Sequence, residues 1–547
     1  MKFWGSFVAA DQAGLPTNPA HGDALDRLTP FGFRGGLIVI LAFCLLSFLM
    51  CGYFVIYWRN ADMDFMVVYN AFVLNDGAKR TFFDHPGYLT ILSVEAWFRL
   101  LHQLHLLDAW TLSAVPPGSN EAAFDLAMTS AVRAARTVAG LTAGALVLTF
   151  AWLARHIVTD RRVAICGIFV FALSGGVQMH LRILRTEMIA GCFCIFALMI
   201  LIIAGRRGSL LRPLMLAAAV GLCVLGLENK VHAILLILAI PALVLPFGTS
   251  ESASISFWNG GMRAWSASVA AVAIACLAFA AALPLISAGL DPTGAAAAGL
   301  KPILLGRFGT YQIALLGWTG VCMLAFAAIW RVSLAESVAA IAAVVAGASL
   351  GLLALKIQYD VNDAIVVLNP LEKMMTFVDE PKASEGLMAA LTLLLSGILQ
   401  VLRRYTFVLF SSPRPAVFLT WLIFFGIFHA WRRGEKQAAL QAALLMAAAI
   451  AIDALGIRRG LKIEYFVLTD PLIIIAGMVL LDRMKDVALH RWAYPIGATL
   501  VVLHIGISQA EPIKMVLKRK GPENICEWNQ FHIPRLSLPW CGGSAPR

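Results

Sequence analysis

Long apolar runs separated by short charged segments set the pattern of this chain. The runs lie near 36–58, 135–155, 163–181, 187–204, 213–227, 231–248, 267–289, 311–330, 336–356, 414–431, 438–456, 464–481 and 492–508. A helix needs about 20 mostly apolar residues to cross the hydrocarbon core of a bilayer. The pattern therefore predicts about thirteen transmembrane helices in an all-α polytopic membrane protein. One segment departs from it. Residues 88–106 carry Glu95, Arg99, His102, Gln103 and His105, yet their apolar positions keep helical spacing. That combination predicts a helix lying in the membrane surface rather than crossing it.

Loop charges orient the spans. With 88–106 on the surface, one side collects Arg155, Arg161 and Arg162, then Arg206, Arg207 and Arg212. Arg432, Arg433, Lys436, Arg483, Lys485 and Arg491 follow on the same side. Basic loops mark the cytoplasmic face. The chain is accordingly read as a cytoplasmic segment 1–35, a membrane domain 36–508 and an extracytoplasmic tail 509–547. Residues 59–134 and 357–413 become long outer loops, the second with an amphipathic helix near 386–404. Residues 1–35 contain Pro16, Pro19 and Pro30 and no cleavable signal pattern.

Composition agrees and excludes the alternatives. Hydrophobic residues make up 60% and charged residues 14%, against about 25% charged in soluble domains. So few charges cannot cover several soluble domains, and disorder is excluded on the same ground. The net charge of +11 comes from 43 Lys and Arg against 32 Asp and Glu. No Walker A, G-x-G-x-x-G or nucleic-acid motif accompanies it, so nucleic acid is not an expected partner. Topogenic loops and contacts with anionic lipid or phosphate account for the excess. Of ten cysteines, eight lie in apolar stretches, while Cys526 and Cys541 lie in the polar tail. Those two can form a disulfide if the tail is outside the cytosol.

Candidate chemistry sits at the outer boundary. The first outer loop opens with Trp58-Arg59-Asn60-Ala61-Asp62-Met63-Asp64. Carboxylates at a membrane edge are partly desolvated, which raises their proton affinity and suits them to general-base work. His85, in Phe83-Asp84-His85-Pro86-Gly87-Tyr88, is suited to position an acceptor, to bind a phosphate, or to a structural role. Arg182 and Arg185 are one helical turn apart in His180-Leu181-Arg182-Ile183-Leu184-Arg185-Thr186-Glu187, placed to pair with an acid or a phosphate. An ordinary Arg185–Glu187 salt bridge is the plainer alternative.

Two basic features go against the positive-inside trend. Lys230 lies in a very short outer turn, Gly226-Leu227-Glu228-Asn229-Lys230-Val231-His232. Arg458, Arg459 and Lys462 crowd another, just before Glu464-Tyr465-Phe466. Cations where topology gives no reason for them are explained by a phosphate ligand. A snorkelling lysine, or a different topology at 458–462, is the competing account.

The order of these features resembles a known family. An Asp at the end of the first span is followed about fifteen residues on by Gly77, then by His85-Pro86 before the surface helix. An Arg-initiated span with an L-A-R turn comes next (Arg136, then Leu153-Ala154-Arg155). This order is similar to that of the GT-C glycosyltransferases. The nearest branch contains bacterial aminoarabinose, galacturonic acid and mannosyl transferases that use polyprenyl-phosphate sugars. The likeness is best over 36–250.

The resemblance implies that the essential acid is Asp62, by its distance from Gly77. In the aminoarabinose branch that acid is followed directly by Glu. Here Met63 intervenes before Asp64, so Asp62 and Asp64 both stay open as the base. The D-x-D form also permits a divalent cation, Mg or Mn, at Asp62 and Asp64, and no other cofactor is expected. Glu187 matches a family acid, Lys230 a lysine facing the lipid phosphate, and Tyr465 a late R-x-x-x-Y-F-type motif. His85-Pro86 matches a His-Pro, with Gly87 in place of a second Pro.

The implied function is transfer of a sugar from a polyprenyl-phosphate donor, with inversion. The acceptor would be lipid A or lipopolysaccharide, a polysaccharide or a protein, at the outer face of the bacterial inner membrane. Membrane lipids are the remaining partners. A secondary transporter or flippase of lipid-linked sugars is the main rival. It predicts matched repeat halves and midplane charges, and neither is visible here. A non-catalytic envelope-assembly partner is the third reading.

Overall fold

A bilayer leaves no water to satisfy exposed peptide groups, so apolar spans must bond their own backbones as helices. The computed structural model describes residues 32–78, 87–206, 212–247, 261–290, 309–330, 333–357, 366–370, 387–406, 417–456 and 463–483, with residues 293 and 373 and scattered positions from 499 to 541. The described residues contain helices and no strand. Seven helices among them are long and apolar enough to cross a membrane, or eight if one bent pair forms a single span.

In chain order, α1 is Gly32–Phe48, continued by a π-helical turn Leu49–Tyr53, and α2 is Ala61–Asn75. Next come α3 (Tyr88–Gln103), α4 (Glu121–Ile157), α5 (Arg161–Ala172) and α6 (Gly175–Arg182). Then follow α7 (Glu187–Arg206), α8 (Arg212–Asn229), α9 (Ala233–Val244) and α10 (Met262–Leu290). The remainder are α11 (Gly309–Trp330), α12 (Leu334–Leu353), α13 (Leu387–Thr406), α14 (Val417–Arg432), α15 (Lys436–Gly456) and α16 (Asp470–Arg483). A 3₁₀ turn, Ile463–Leu468, stands immediately before α16.

The spans differ from thirteen uniform crossings. The run 163–181 is two helices, α5 and α6, bent by 54°. Leu173 caps the end of the first and Ser174 the start of the second, its Oγ accepting from the Val177 amide at 3.5 Å. A hydroxyl that competes for backbone groups favours such a break. The run 231–248 yields only 12 residues of α-helix with Pro241 inside, and 464–481 begins as 3₁₀. Conversely, α4 has 37 residues. At 1.5 Å per residue it is far longer than the hydrocarbon core. The last expected run, 492–508, lies mostly outside the described residues.

Packing separates a polar-edged outer unit from the apolar bundle. In that unit α2, α3 and the start of α4 bury Phe65, Phe72, Phe98 and Phe124 together. The helix α3 lies where the sequence predicts a surface helix and buries Tyr88, Ile91, Val94 and Phe98, together with the polar Thr90 and Glu95. The tail joins this unit. Ile533, Leu536 and Leu538 are buried in the same cluster, and Cys526 is disulfide-bonded to Cys541. The bundle core centres on α7, which packs on α4, α8 and α9, with α16 joining α5 to α14 and α15.

Candidate functional site

The site forms where the bent span resumes. After Arg182 the chain is extended, with Ile183 at φ −131° and ψ 140°, and helix restarts at Glu187. Glu187 is 1% exposed and gathers cations around it. Lys230 Nζ lies 3.0 Å from Oε1, while Arg185 Nε and His180 Nε2 lie 3.5 and 3.8 Å from Oε2. Arg185 Nη1 also reaches Glu464 Oε1 at 3.3 Å. The Tyr465 ring completes the wall, its centroid 6.0 Å from Lys230 Nζ and 5.5 Å from the His232 ring. Charges this far from water persist only when paired.

Each element arrives for a local reason. Lys230 directly follows α8, and the helix's last residue, Asn229, anchors the outer unit. Its backbone oxygen accepts from Gly87 N at 3.1 Å, and its side-chain oxygen lies 3.3 Å from both Thr90 N and Thr90 Oγ1. The 3₁₀ turn with Glu464 and Tyr465 comes close because residue 176 is glycine. A Cβ there would sit 2.8 Å from Val467 N.

Gly87 has φ +58°, and a Cβ on it would meet Thr186 at 3.0 Å. Proline cannot adopt that φ, which explains why the expected second proline is absent. Gly87→Ala is expected to cost about 1–3 kcal/mol, measured as a lower melting temperature in detergent. An unchanged melting temperature would refute the strain.

A second buried pair lies alongside. Asp64 and Arg136 are both 0% exposed. Arg136 Nε and Nη2 contact Asp64 Oδ2 at 2.9 and 2.7 Å. The guanidinium also donates to three carbonyls where the first span ends, Gly52, Val55 and Ile56, at 3.1, 2.5 and 3.4 Å. Asp64 Oδ1 accepts from Leu184 N at 2.9 Å, next to Arg185. Burial pushes the Asp64 carboxyl pKa up, and Arg136 and the Leu184 amide pull against it.

The candidates from sequence therefore divide. Asp64, Arg185, Glu187, Lys230 and Tyr465 come together at one place. Arg182 does not join them, although the sequence spacing pairs it with Arg185. Its Nε and Nη2 lie 3.1 and 2.6 Å from Ser47 Oγ, and Nη2 reaches Gln178 at 3.2 Å and Gln509 at 2.7 Å. The physical reason is that α6 ends at Arg182, so no helical turn links it to Arg185. His85, Arg458, Arg459 and Lys462 lie outside the described residues, and Asp62 is described only in its helical backbone within α2. Arg136, His180 and Glu464 belong to the site without having been candidates. Positive-inside counting could not find Glu464, because it flags only cations.

A divalent cation does not fit Asp64 as placed. One carboxylate oxygen is held by a guanidinium and the other by an amide. Among the described residues no three His, Cys, Asp or Glu side chains form a cation site.

No family model matches the chain, and no curated protein matches it. Among solved structures it is similar to an oligosaccharyltransferase from Archaeoglobus fulgidus, crystallised in the apo form. The identity is 13% and the TM-score 0.48, over 95% of this chain and 61% of that one. The chain thus spans about three fifths of that protein's length. Its own features define an all-helical, multi-pass membrane protein with a buried ionic cluster where two spans are interrupted.

Proposed function

We propose that the chain is a GT-C-type glycosyltransferase of the bacterial inner membrane, with its N-terminus in the cytoplasm and its C-terminus outside. It takes a sugar from a polyprenyl-phosphate donor. The acceptor is a hydroxyl or phosphate on lipid A or lipopolysaccharide, a polysaccharide or a protein at the outer face. The observation that carries this reading is the buried Lys230–Glu187–Arg185–Glu464 chain. In sequence, Arg458, Arg459 and Lys462 come just before Glu464. Buried, preorganised cations are suited to a phosphate whose negative charge grows as it leaves. The disulfide Cys526–Cys541 supports an outer tail, since such bonds persist in oxidising compartments.

In the proposed reaction Asp62 accepts the acceptor's proton while the acceptor oxygen attacks the anomeric carbon. The bond from that carbon to the phosphate oxygen breaks with inversion, and polyprenyl phosphate departs with the electron pair. Lys230 and the 458–462 cations steady the leaving phosphate, and Glu187 and Glu464 fix Lys230 and Arg185 in place. Tyr465 borders the phosphate, and His85 orients the acceptor. We assign Asp64 to structure, because both its oxygens are engaged, and route no step through a metal ion.

The test is Asp62→Asn, assayed for transfer from a radiolabelled polyprenyl-phosphate sugar in proteoliposomes. Transfer is expected to fall about a hundredfold or more, as for loss of a general base, with an unchanged gel-filtration profile. Full transfer by this variant overturns the assignment of Asp62.

A further inference from the structure

The loop closed by Cys526–Cys541 takes no step in the proposed transfer, yet it is built into the unit that carries the acids. Its apolar residues Ile533, Leu536 and Leu538 are buried in one cluster with Tyr57, Phe65 and Phe124. Trp540, next to the disulfide, sets its ring centroid 6.1 Å from that of Tyr57 and 6.2 Å from that of Phe124. Tyr57 in turn stacks on Phe65 of α2 at 5.8 Å and donates a hydrogen bond to Asp125 of α4. It also opens the 3₁₀ turn Tyr57–Asn60, which runs directly into α2, where Asp62 and Asp64 lie. A second anchor lies at residue 118, whose amide donates to Ser537 Oγ at 3.2 Å. A Cβ on Gly118 would sit 2.6 Å from the Ser537 carbonyl oxygen, so this approach requires glycine.

We infer that this loop is a positioning element for the acid-bearing segment. While the disulfide is closed, Trp540 holds Tyr57, and through it the start of α2 with Asp62. The inference rests on the proposed reaction, in which Asp62 is the base, and adds Trp540 as a positioning residue. Three buried apolar side chains do little to offset the entropy of ordering such a loop. A cross-link between residues 15 apart removes much of that entropy in advance. Nε1 of Trp540 is buried without a hydrogen-bond partner among the described residues, so its ring alone makes the contact.

The test is hydrogen–deuterium exchange on the full-length chain in nanodiscs, before and after treatment with tris(2-carboxyethyl)phosphine. The phosphine takes an oxygen from water and becomes its oxide, while the two sulfurs take two electrons and two protons as thiols. Alkylation mapped to Cys526 and Cys541 shows that the bond has opened. Exchange over 57–75 is expected to quicken at least about tenfold, with 187–206 unchanged. Cys526→Ser combined with Cys541→Ser should exchange like the reduced chain and respond no further. In transfer assays Trp540→Ala is expected to lower kcat at least about tenfold at unchanged donor KM, and Trp540→Phe to retain it.

Unchanged exchange over 57–75 after reduction, or loosening that spreads to 187–206, would overturn the inference, as would full kcat in Trp540→Ala. The reduction arm uses the unaltered chain, so a misfolded variant does not spoil it. Exchange needs no turnover. If 57–75 loosens on reduction but no chain transfers sugar, the transferase reading alone fails. If transfer survives reduction with 57–75 unchanged, the coupling alone fails.

Discussion

Lys230→Met is expected to destabilise the protein by about 3–5 kcal/mol and to abolish the proposed sugar transfer. The reason lies at Glu187. Its carboxylate is 1% exposed, and Lys230 is the nearest of its cations at 3.0 Å. Removing Lys230 leaves Arg185 at 3.5 Å and His180 at 3.8 Å, two longer contacts, to compensate a desolvated charge. Replacing both residues, Lys230→Met with Glu187→Met, removes the stranded charge and is expected to recover much of the lost stability. Transfer should not return. Thermal stability in detergent and transfer in proteoliposomes are measured on all three variants. If the double variant regains both, Lys230 is only a structural partner and its assignment to the phosphate fails.

The second large effect is expected at Arg136. Arg136→Met strands a fully buried Asp64 and removes the donors to Gly52, Val55 and Ile56 in one step. An expected cost of about 3–5 kcal/mol follows from breaking a buried pair on one side. Arg136→Lys should fall between the two. An ammonium carries positive charge but cannot reproduce a planar guanidinium spanning a carboxylate and three carbonyls. The readout is the monodisperse fraction on gel filtration, followed against temperature. A stable Arg136→Met protein would show that the end of the first span holds without this clamp. Asp64→Asn should resemble Arg136→Met, whereas Asp62→Asn should leave stability intact, and that contrast separates the two acids of the D-x-D.

Several of these features were legible one residue at a time. Lys230 stood out because a lysine on a short turn expected to lie outside contradicts the charge rule, and the structure finds it buried against Glu187. The break at Ser174 also had a local signal, a serine before two glycines. Apolar continuity over 163–181 concealed it. Arg136 and Asp64 are 72 residues apart, and nothing in the spacing pairs them. Arg182 and Arg185 look like helical neighbours only if the helix is assumed to continue, and it stops between them.

The sequence by itself determined that this is a helical membrane protein, and it singled out cations at places where the expected topology gives no reason for them. Lipid forces every peptide group into a helix, and charge out of topological place is visible without coordinates. Only the tertiary structure decided which charges meet. Pairing among Asp64, Arg136, Arg185, Glu187, Lys230 and Glu464 depends on where α6 stops, on a 3₁₀ turn and on glycines that permit close approach. Such contacts join residues far apart in the chain, and their strength comes from burial, which sequence spacing does not encode.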